Sequence, residues 1–179
     1  MEHLNAAGPQ ELLRLLESEY LAAGFPVGRT GEADDPRYRP LVVPFDGIGE
    51  EERLLRLELC FLPHMEEAEA AGIAMLQSFA TIAEGVPPGR FGDLLRLAAR
   101  LNTILPLGAF GLFEDTGVVY YKHNALLLLD NGSAANVKAI DAQNGLILHL
   151  HQLYMEAFIG VAEGRLSAGE ALDCLFPAD

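Results

Sequence analysis

The chain has 179 residues, half of them apolar, and it carries 26 Asp and Glu against 12 Lys and Arg, a formal net charge of −14 at pH 7. A chain of this length and apolar content can bury the core of one domain, so we expect residues 1–179 to fold as a single domain. The negative charge repels phosphate backbones and anionic lipid headgroups, so we expect no nucleic acid and no membrane surface as a partner.

Cysteine usage and the N-terminal residues point to a reducing compartment. Cys60 and Cys174 form neither a disulfide framework nor a metal-ligand spacing, and we expect both as reduced thiols. The opening MEHLNAAGPQELL lacks the basic stretch and apolar stretch of a secretory signal. No apolar run approaches the roughly 20 residues that a membrane helix needs. The sequence therefore predicts a cytoplasmic protein.

The first elements in chain order are a helix and a loop. Apolar residues recur at helical spacing over residues 9–23, with Pro9 at the start of the pattern and Gly24 after its end. This arrangement predicts an N-terminal helix. Residues 26–39 contain glycines, two prolines and mixed charges, which predict a variable loop with room for a short strand at 25–28.

A core over residues 40–175 follows, and it is predicted to begin with strands. Pro40 and Pro44 cannot donate hydrogen bonds to a ladder, so PLVVPFD indicates a strand at a sheet edge or a broken strand. The segment RLLRLELCFLP alternates apolar and polar residues with a period of two, which is typical of a half-buried strand. Residues 73–84 fit both a helical stripe and a strand alternation, so periodicity alone leaves their structure open.

An amphipathic helix and an apolar hairpin come next. The apolar positions from Phe91 onward recur at helical spacing until Pro106, which cannot continue a helix. Two runs rich in Phe, Val, Tyr and Leu then flank Asp115-Thr116-Gly117, which predicts a hairpin with a three-residue loop over 115–117.

This loop length sets the expected register of the hairpin. With Glu114 opposite Val118, one side of the hairpin would carry Leu112 opposite Tyr120 and Phe110 opposite Lys122, and the other side would carry Phe113, Val119 and Tyr121. Both sides would be apolar. Helices would then cover both sides, or a second subunit or protein partner would cover one of them.

The C-terminal part is predicted to be helical. Asp130-Asn131-Gly132-Ser133 breaks the chain, and a long helix is expected over residues 137–161. Gly164 can end this helix. Ser167 and Glu170 then form a capping pattern for a last short helix through Leu175.

The element order, together with RLAARLNTILPLGAFGLFEDTGVVYYKHNALL and the closing VAEGRLSAGEAL, resembles the type III secretion chaperone-like superfamily, in particular its YbjN-like and uncharacterised cyanobacterial members. The likeness is best over residues 54–173. It implies an α+β fold, an antiparallel β-sheet packed by helices in the order α-β-β-β-α-β-β-α(-α). It also implies homodimers and a strand near residues 74–83.

The residues offer little chemistry that would suggest an enzyme. No G-x-S-x-G elbow, phosphate-binding glycine loop or zinc spacing is present. His149 and His151 lie two positions apart, so on a regular helix they point about 200° away from each other and cannot share one metal ion. We therefore predict no catalytic residue, no cofactor and no metal.

The resulting hypothesis is a non-enzymatic protein-binding, chaperone-like or regulatory domain that acts as a homodimer, with an unknown protein or peptide partner. The candidate surface consists of Phe110, Leu112 and Tyr120, and changing all three to Ser is expected to abolish association without wholly unfolding the subunit. The alternative is a small-ligand sensor with a pocket between sheet and helices.

Overall fold

The computed structural model describes residues 8–29 and 39–177 and forms an α+β fold within them, as predicted. The helices are α1 (Pro9–Ala22), α2 (Glu66–Ala70), α3 (Phe91–Asn102), α4 (Ser133–Ala162) and α5 (Ala168–Leu175). The strands are β1 (Gly28–Arg29), β2 (Leu41–Ile48), β3 (Arg53–Phe61), β4 (Ile73–Ala83), β5 (Ala109–Phe113) and β6 (Val118–Leu128). The helix predicted over 9–23 is confirmed, whereas most of the loop predicted over 26–39 lies outside the described residues.

The strands form one antiparallel sheet in the order β1-β2-β3-β4-β6-β5. The two residues of β1 pair with Leu41 and Val42 at the start of β2. Pro44 lies beyond these pairs, so its missing N–H costs no hydrogen bond to β1. The segment that contains Pro40 and Pro44 is thus a continuous strand from Leu41 onward, second from the sheet edge.

Burial alternates along the two central strands. In β3, Leu55, Leu57, Leu59 and Phe61 are buried, which confirms the predicted period of two. In β4 the even-numbered residues from Ala74 to Ala80 are buried and the odd-numbered ones are half-buried. The ambiguous segment is therefore a strand, because its place between β3 and β6 supplies ladder partners on both sides.

The described residues divide into two compact units, each assembled from separate stretches of chain. The first contains residues up to Phe45, Arg56–Ser78 and Asn124–Leu146. The second contains Asp46–Leu55, Phe79–His123 and the chain from Ile147 onward. The single domain expected from length stays a prediction.

The core of the first unit is built on α1. Its apolar stripe, which includes Leu12, Leu13 and Leu16, is fully buried. The hydroxyl of Tyr20 donates to Asp141 Oδ1 (3.2 Å) and accepts from Asn144 Nδ2 (2.9 Å). Burial is the main cause that raises the pKa of Tyr20 to about 12. The Tyr20 hydroxyl is thus protonated at neutral pH and joins helices α1 and α4.

Helices α3 and α5 of the second unit follow the signals predicted from the sequence. In α3, Leu94, Leu97, Ala98 and Leu101 are buried, whereas Leu95 on the same helix is exposed. Helix α5 begins with a capping box: Ser167 Oγ accepts from the backbone N–H of Glu170 (3.2 Å), and the backbone N–H of Ser167 donates to Glu170 Oε2 (2.8 Å). Within the described ranges, no helix has both the length and the hydropathy needed to cross a bilayer.

The hairpin turn is held against the segment that precedes α3. The backbone N–H of Val86 donates to the carbonyl of Gly117 (3.0 Å), and Gly117 has a φ of +64°. A Cβ at this position would lie 2.4 Å from the carbonyl oxygen of Val86. Only glycine satisfies both the backbone conformation and the close approach.

We expect Gly117→Ala to lower the free energy of unfolding by about 2–4 kcal/mol, because it combines a left-handed alanine with a backbone clash. Gly145→Ala is the matched control: Gly145 lies inside α4, and a Cβ there meets no atom within 4 Å. This control should be neutral or stabilising by up to about 1 kcal/mol. Urea unfolding of the two variants measures the difference, and equal stability of both would contradict the proposed role of Gly117.

Candidate functional site

The β5–β6 hairpin has a register different from the predicted one. Its loop contains four residues, 114–117, because the N–H of Gly117 donates to the carbonyl of Phe113 (2.8 Å) and Phe113 pairs with Val118. Phe110 therefore faces Tyr121, and Gly111 faces Tyr120. The predicted pairs Leu112 with Tyr120 and Phe110 with Lys122 are wrong by one residue.

This shift divides the predicted surface, because directly opposite residues share a side of the sheet. Phe110 and Leu112 lie on the inner side of the hairpin with Val119 and Tyr121, whereas Tyr120 lies on the outer side with Phe113. Phe110 is only 3% exposed. The three predicted residues do not form one surface, and changing all of them to Ser would disrupt the core of the unit.

Phe110 lies at the centre of an aromatic cluster on the inner side. Its ring centroid is 4.4 Å from that of Phe158 and 5.2 Å from that of Tyr121. His151 contacts both Phe110 and Tyr121, with centroid distances of 5.9 and 5.1 Å. The hydroxyl of Tyr121 donates to the carbonyl of Leu107 (2.9 Å), and burial raises the pKa of Tyr121. Phe110, Val119 and Tyr121 therefore belong to a packed core and are not available to a partner.

His151 is a buried polar group within this core. Its Nδ1 lies 2.8 Å from the carbonyl oxygen of Ile147. Because a carbonyl can only accept, Nδ1 carries the hydrogen, and Nε2 is left as an acceptor. Nε2 has no partner in the described structure. Burial, opposed only in part by the Ile147 hydrogen bond, lowers the pKa of His151 to about 4, so the imidazole is neutral at pH 7. His149 is exposed, as the helical geometry predicts.

The outer side of the hairpin carries a second aromatic cluster, which we call the outer aromatic cluster: Phe79, Phe113 and Tyr120. Phe113 and Tyr120 stack with ring centroids 4.2 Å apart, and Phe79 stacks on Tyr120 at 5.5 Å. Phe113 is 47% exposed, and Phe79 and Tyr120 are half-buried. Tyr120 also covers Gly111, since a Cβ on Gly111 would lie 2.5 Å from the Tyr120 ring. The three stacked rings form a half-exposed platform.

Charge is sparse on this side of the hairpin. Its six outer positions are Ala109, Gly111, Phe113, Val118, Tyr120 and Lys122. Lys122 is the single charged residue of these six. Phe113 was expected on the opposite side from Tyr120, and Phe79 was not singled out from the sequence. The alternation of residues along β4 predicts that Phe79 faces away from the buried side of the sheet. This prediction can be made only once residues 73–83 are known to form a strand.

The second unit has a cavity of about 270 Å³ between the sheet, at β3 and β4, and helix α4, which is the kind of place where a sensor pocket was predicted. Another cavity, of about 300 Å³, is formed by α4, α5 and the turn before β3. Glu51, Glu156 and Arg165 contribute to its lining. Arg53 donates to Glu156 (2.9 Å) and to Glu51, so these two carboxylates are already paired. The arrangement is a surface network of ion pairs.

No group of three or more His, Cys, Asp or Glu that could hold a metal ion occurs in the described part of the chain.

No protein-family model, curated protein or solved structure matches this sequence. The outer aromatic cluster is the candidate functional site, on the geometry described above.

The lowered pKa of His151 predicts acid sensitivity. The imidazole titrates near 6.5 in the unfolded chain and near 4 in the folded protein, so the unfolded state binds the proton more tightly between these values. The free energy of unfolding should therefore show no loss from His151 above pH 6.5. It should decrease by about 3 kcal/mol as the pH falls from 6.5 to 4.

Urea unfolding at several pH values between 4 and 7.5 measures this effect. His151→Leu removes the titrating group and should reduce the pH dependence by that amount. His149→Gln on the exposed side of the same helix should keep it. If His151→Leu loses as much stability in acid as the parent, burial of His151 is not the cause.

Proposed function

We propose that this protein is a non-enzymatic association domain that forms a homodimer through the outer aromatic cluster. The observation that carries the proposal is the stacked, half-exposed platform of Phe79, Phe113 and Tyr120 on the outer side of the hairpin. Aromatic residues are enriched at the energetic centres of protein interfaces, where they bury large areas with little loss of side-chain entropy.

A second copy of the chain is the occupant that fits this platform. In a twofold interface every residue meets a copy of the same patch, so a charged patch repels itself, whereas an apolar patch is complementary to itself. The chain carries a net charge of −14, but the outer positions of the hairpin carry only Lys122. Self-association is thus favoured at the outer aromatic cluster and disfavoured over the acidic surface.

The proposal includes membership of the type III secretion chaperone-like superfamily. An antiparallel sheet packed by helices is the architecture that the resemblance implies, and homodimers are common among the proteins of that superfamily. The dimer would supply a binding domain for a further protein, and its chemistry would be shape and apolar burial without catalysis.

Size-exclusion chromatography with light scattering over a range of concentrations tests the proposal. The parent should show twice the mass of one chain. Phe113→Ser should weaken the dimer at least about 30-fold, because loss of a central aromatic residue costs about 2 kcal/mol or more. The subunit should remain folded, since Phe113 lies on the exposed side of an edge strand.

Leu95→Ser is the matched control, because Leu95 is an exposed leucine on α3 of the same unit. It should dimerise like the parent. A parent that stays monomeric at every concentration would refute the homodimer, and a Phe113→Ser variant that dimerises normally would refute the surface.

A further inference from the structure

Strand β5 ends the sheet, so one of its sides has no neighbouring strand in the described chain. Such an edge presents unpaired backbone N–H and C=O groups to which a strand of another molecule can add. The five residues of β5, Ala109–Phe113, are mainly apolar, and so the edge has the composition that favours addition. What occupies this edge therefore decides how copies of the chain can associate.

The side chain of Asn102 occupies the edge at Phe110. Asn102 Nδ2 donates to the carbonyl of Phe110 (2.9 Å), and the N–H of Phe110 donates to Asn102 Oδ1 (2.9 Å). A neighbouring strand would make the same two hydrogen bonds to this residue. The primary amide thus takes the place of one residue of an added strand.

The alternation of the strand shows how much of the edge this contact closes. Because backbone groups of successive residues point to opposite sides, Phe110 and Leu112 direct theirs to the open edge, whereas Gly111 and Phe113 direct theirs toward β6. The Asn102 amide pairs with the backbone N–H and C=O of Phe110. Between Phe110 and the loop, only the backbone groups of Leu112 then remain for an added strand. One residue is too short a segment to support strand pairing.

Helix α3 holds the amide in place. Asn102 is the last residue of the helix, and the preceding Leu101 is fully buried. After Asn102 the chain leaves the helix, with Thr103 Oγ1 donating to the carbonyl of Arg100 (2.7 Å). The position of the amide is therefore determined by the packing of the helix and does not depend on a mobile loop.

We infer that the side chain of Asn102 closes the β5 edge against the addition of a strand from another molecule. Association is then confined to the face of the sheet. This inference goes beyond the proposed function, because it concerns the edge and holds whatever the face binds. It identifies a second copy of this chain as the partner that the edge would otherwise recruit.

The test compares the full-length parent with Asn102→Ala. The alanine leaves the N–H and C=O of Phe110 unpaired, so the Phe110 amide should exchange with solvent at least about tenfold faster. Assemblies larger than those of the parent should appear with increasing concentration in light scattering, together with the infrared signature of intermolecular β-sheet. Thr103→Ala, which removes a neighbouring hydroxyl, should behave like the parent.

Faster exchange at Phe110 with no change of assembly would overturn the inference. If Asn102→Ala does not fold, Asn102→Ser provides the decision: its shorter, uncharged side chain cannot replace both hydrogen bonds of the amide to Phe110. A folded Asn102→Ser variant that assembles like the parent would equally overturn the inference.

The double variant Asn102→Ala/Phe113→Ser separates this inference from the proposed homodimer. Edge-mediated assembly should persist in the double variant, because backbone pairing does not need the outer aromatic cluster. Loss of the larger assemblies on adding Phe113→Ser would assign them to the face and would overturn the role of Asn102.

Discussion

The arrangement of the second unit depends on how Phe110 is held. Its backbone forms two hydrogen bonds to the Asn102 amide, and its ring packs against Phe158, Tyr121 and His151. A strand residue that is anchored on one side determines the orientation of all its neighbours, because side chains alternate across the sheet. With Phe110 inside, Gly111 and Phe113 must lie outside. The outer aromatic cluster is therefore a direct consequence of the core.

The two sides of the hairpin satisfy different physical requirements. The inner side is closed by aromatic packing and by the hydrogen bond from Tyr121 to Leu107. The outer side carries three rings stacked on one another, of which Phe113 is exposed and the other two are half-buried. An exposed apolar patch of this kind raises the free energy of an isolated subunit, and burial against a second apolar patch lowers it again. This is the physical basis for assigning association to the outer side.

The core also contains a destabilising feature. His151 forms one hydrogen bond through Nδ1, but Nε2 is buried without a partner. An unpaired buried acceptor costs free energy, and burial of the ring makes its protonated form still less favourable. An aromatic hydrocarbon of similar size would pack in this place without that cost. The stability of the second unit is therefore coupled to pH through His151 of α4.

The sequence by itself determined the elements whose signals are local. The helix at Pro9–Ala22, the alternating strand Arg53–Phe61 and the capping box of Ser167 and Glu170 are all found where the residues predicted them. Each rests on contacts within a few residues along the chain, either helical periodicity, strand alternation or a reciprocal cap. The α+β class itself was expected from the resemblance over residues 54–173, and the described structure has that class.

Only the tertiary structure decided the candidate site. Residues 73–83 fit two periods, and they are a strand because β3 and β6 lie on either side of them. The hairpin loop is longer by one residue than predicted, since the N–H of Gly117 bonds to Phe113 and Val86 bonds to Gly117. A shift of one residue reverses which residues of the two strands share a side of the sheet. Phe113 and Tyr120 therefore lie on the same side, although the predicted register placed them on opposite sides. Such a register depends on contacts between distant segments, which periodicity along one segment does not contain.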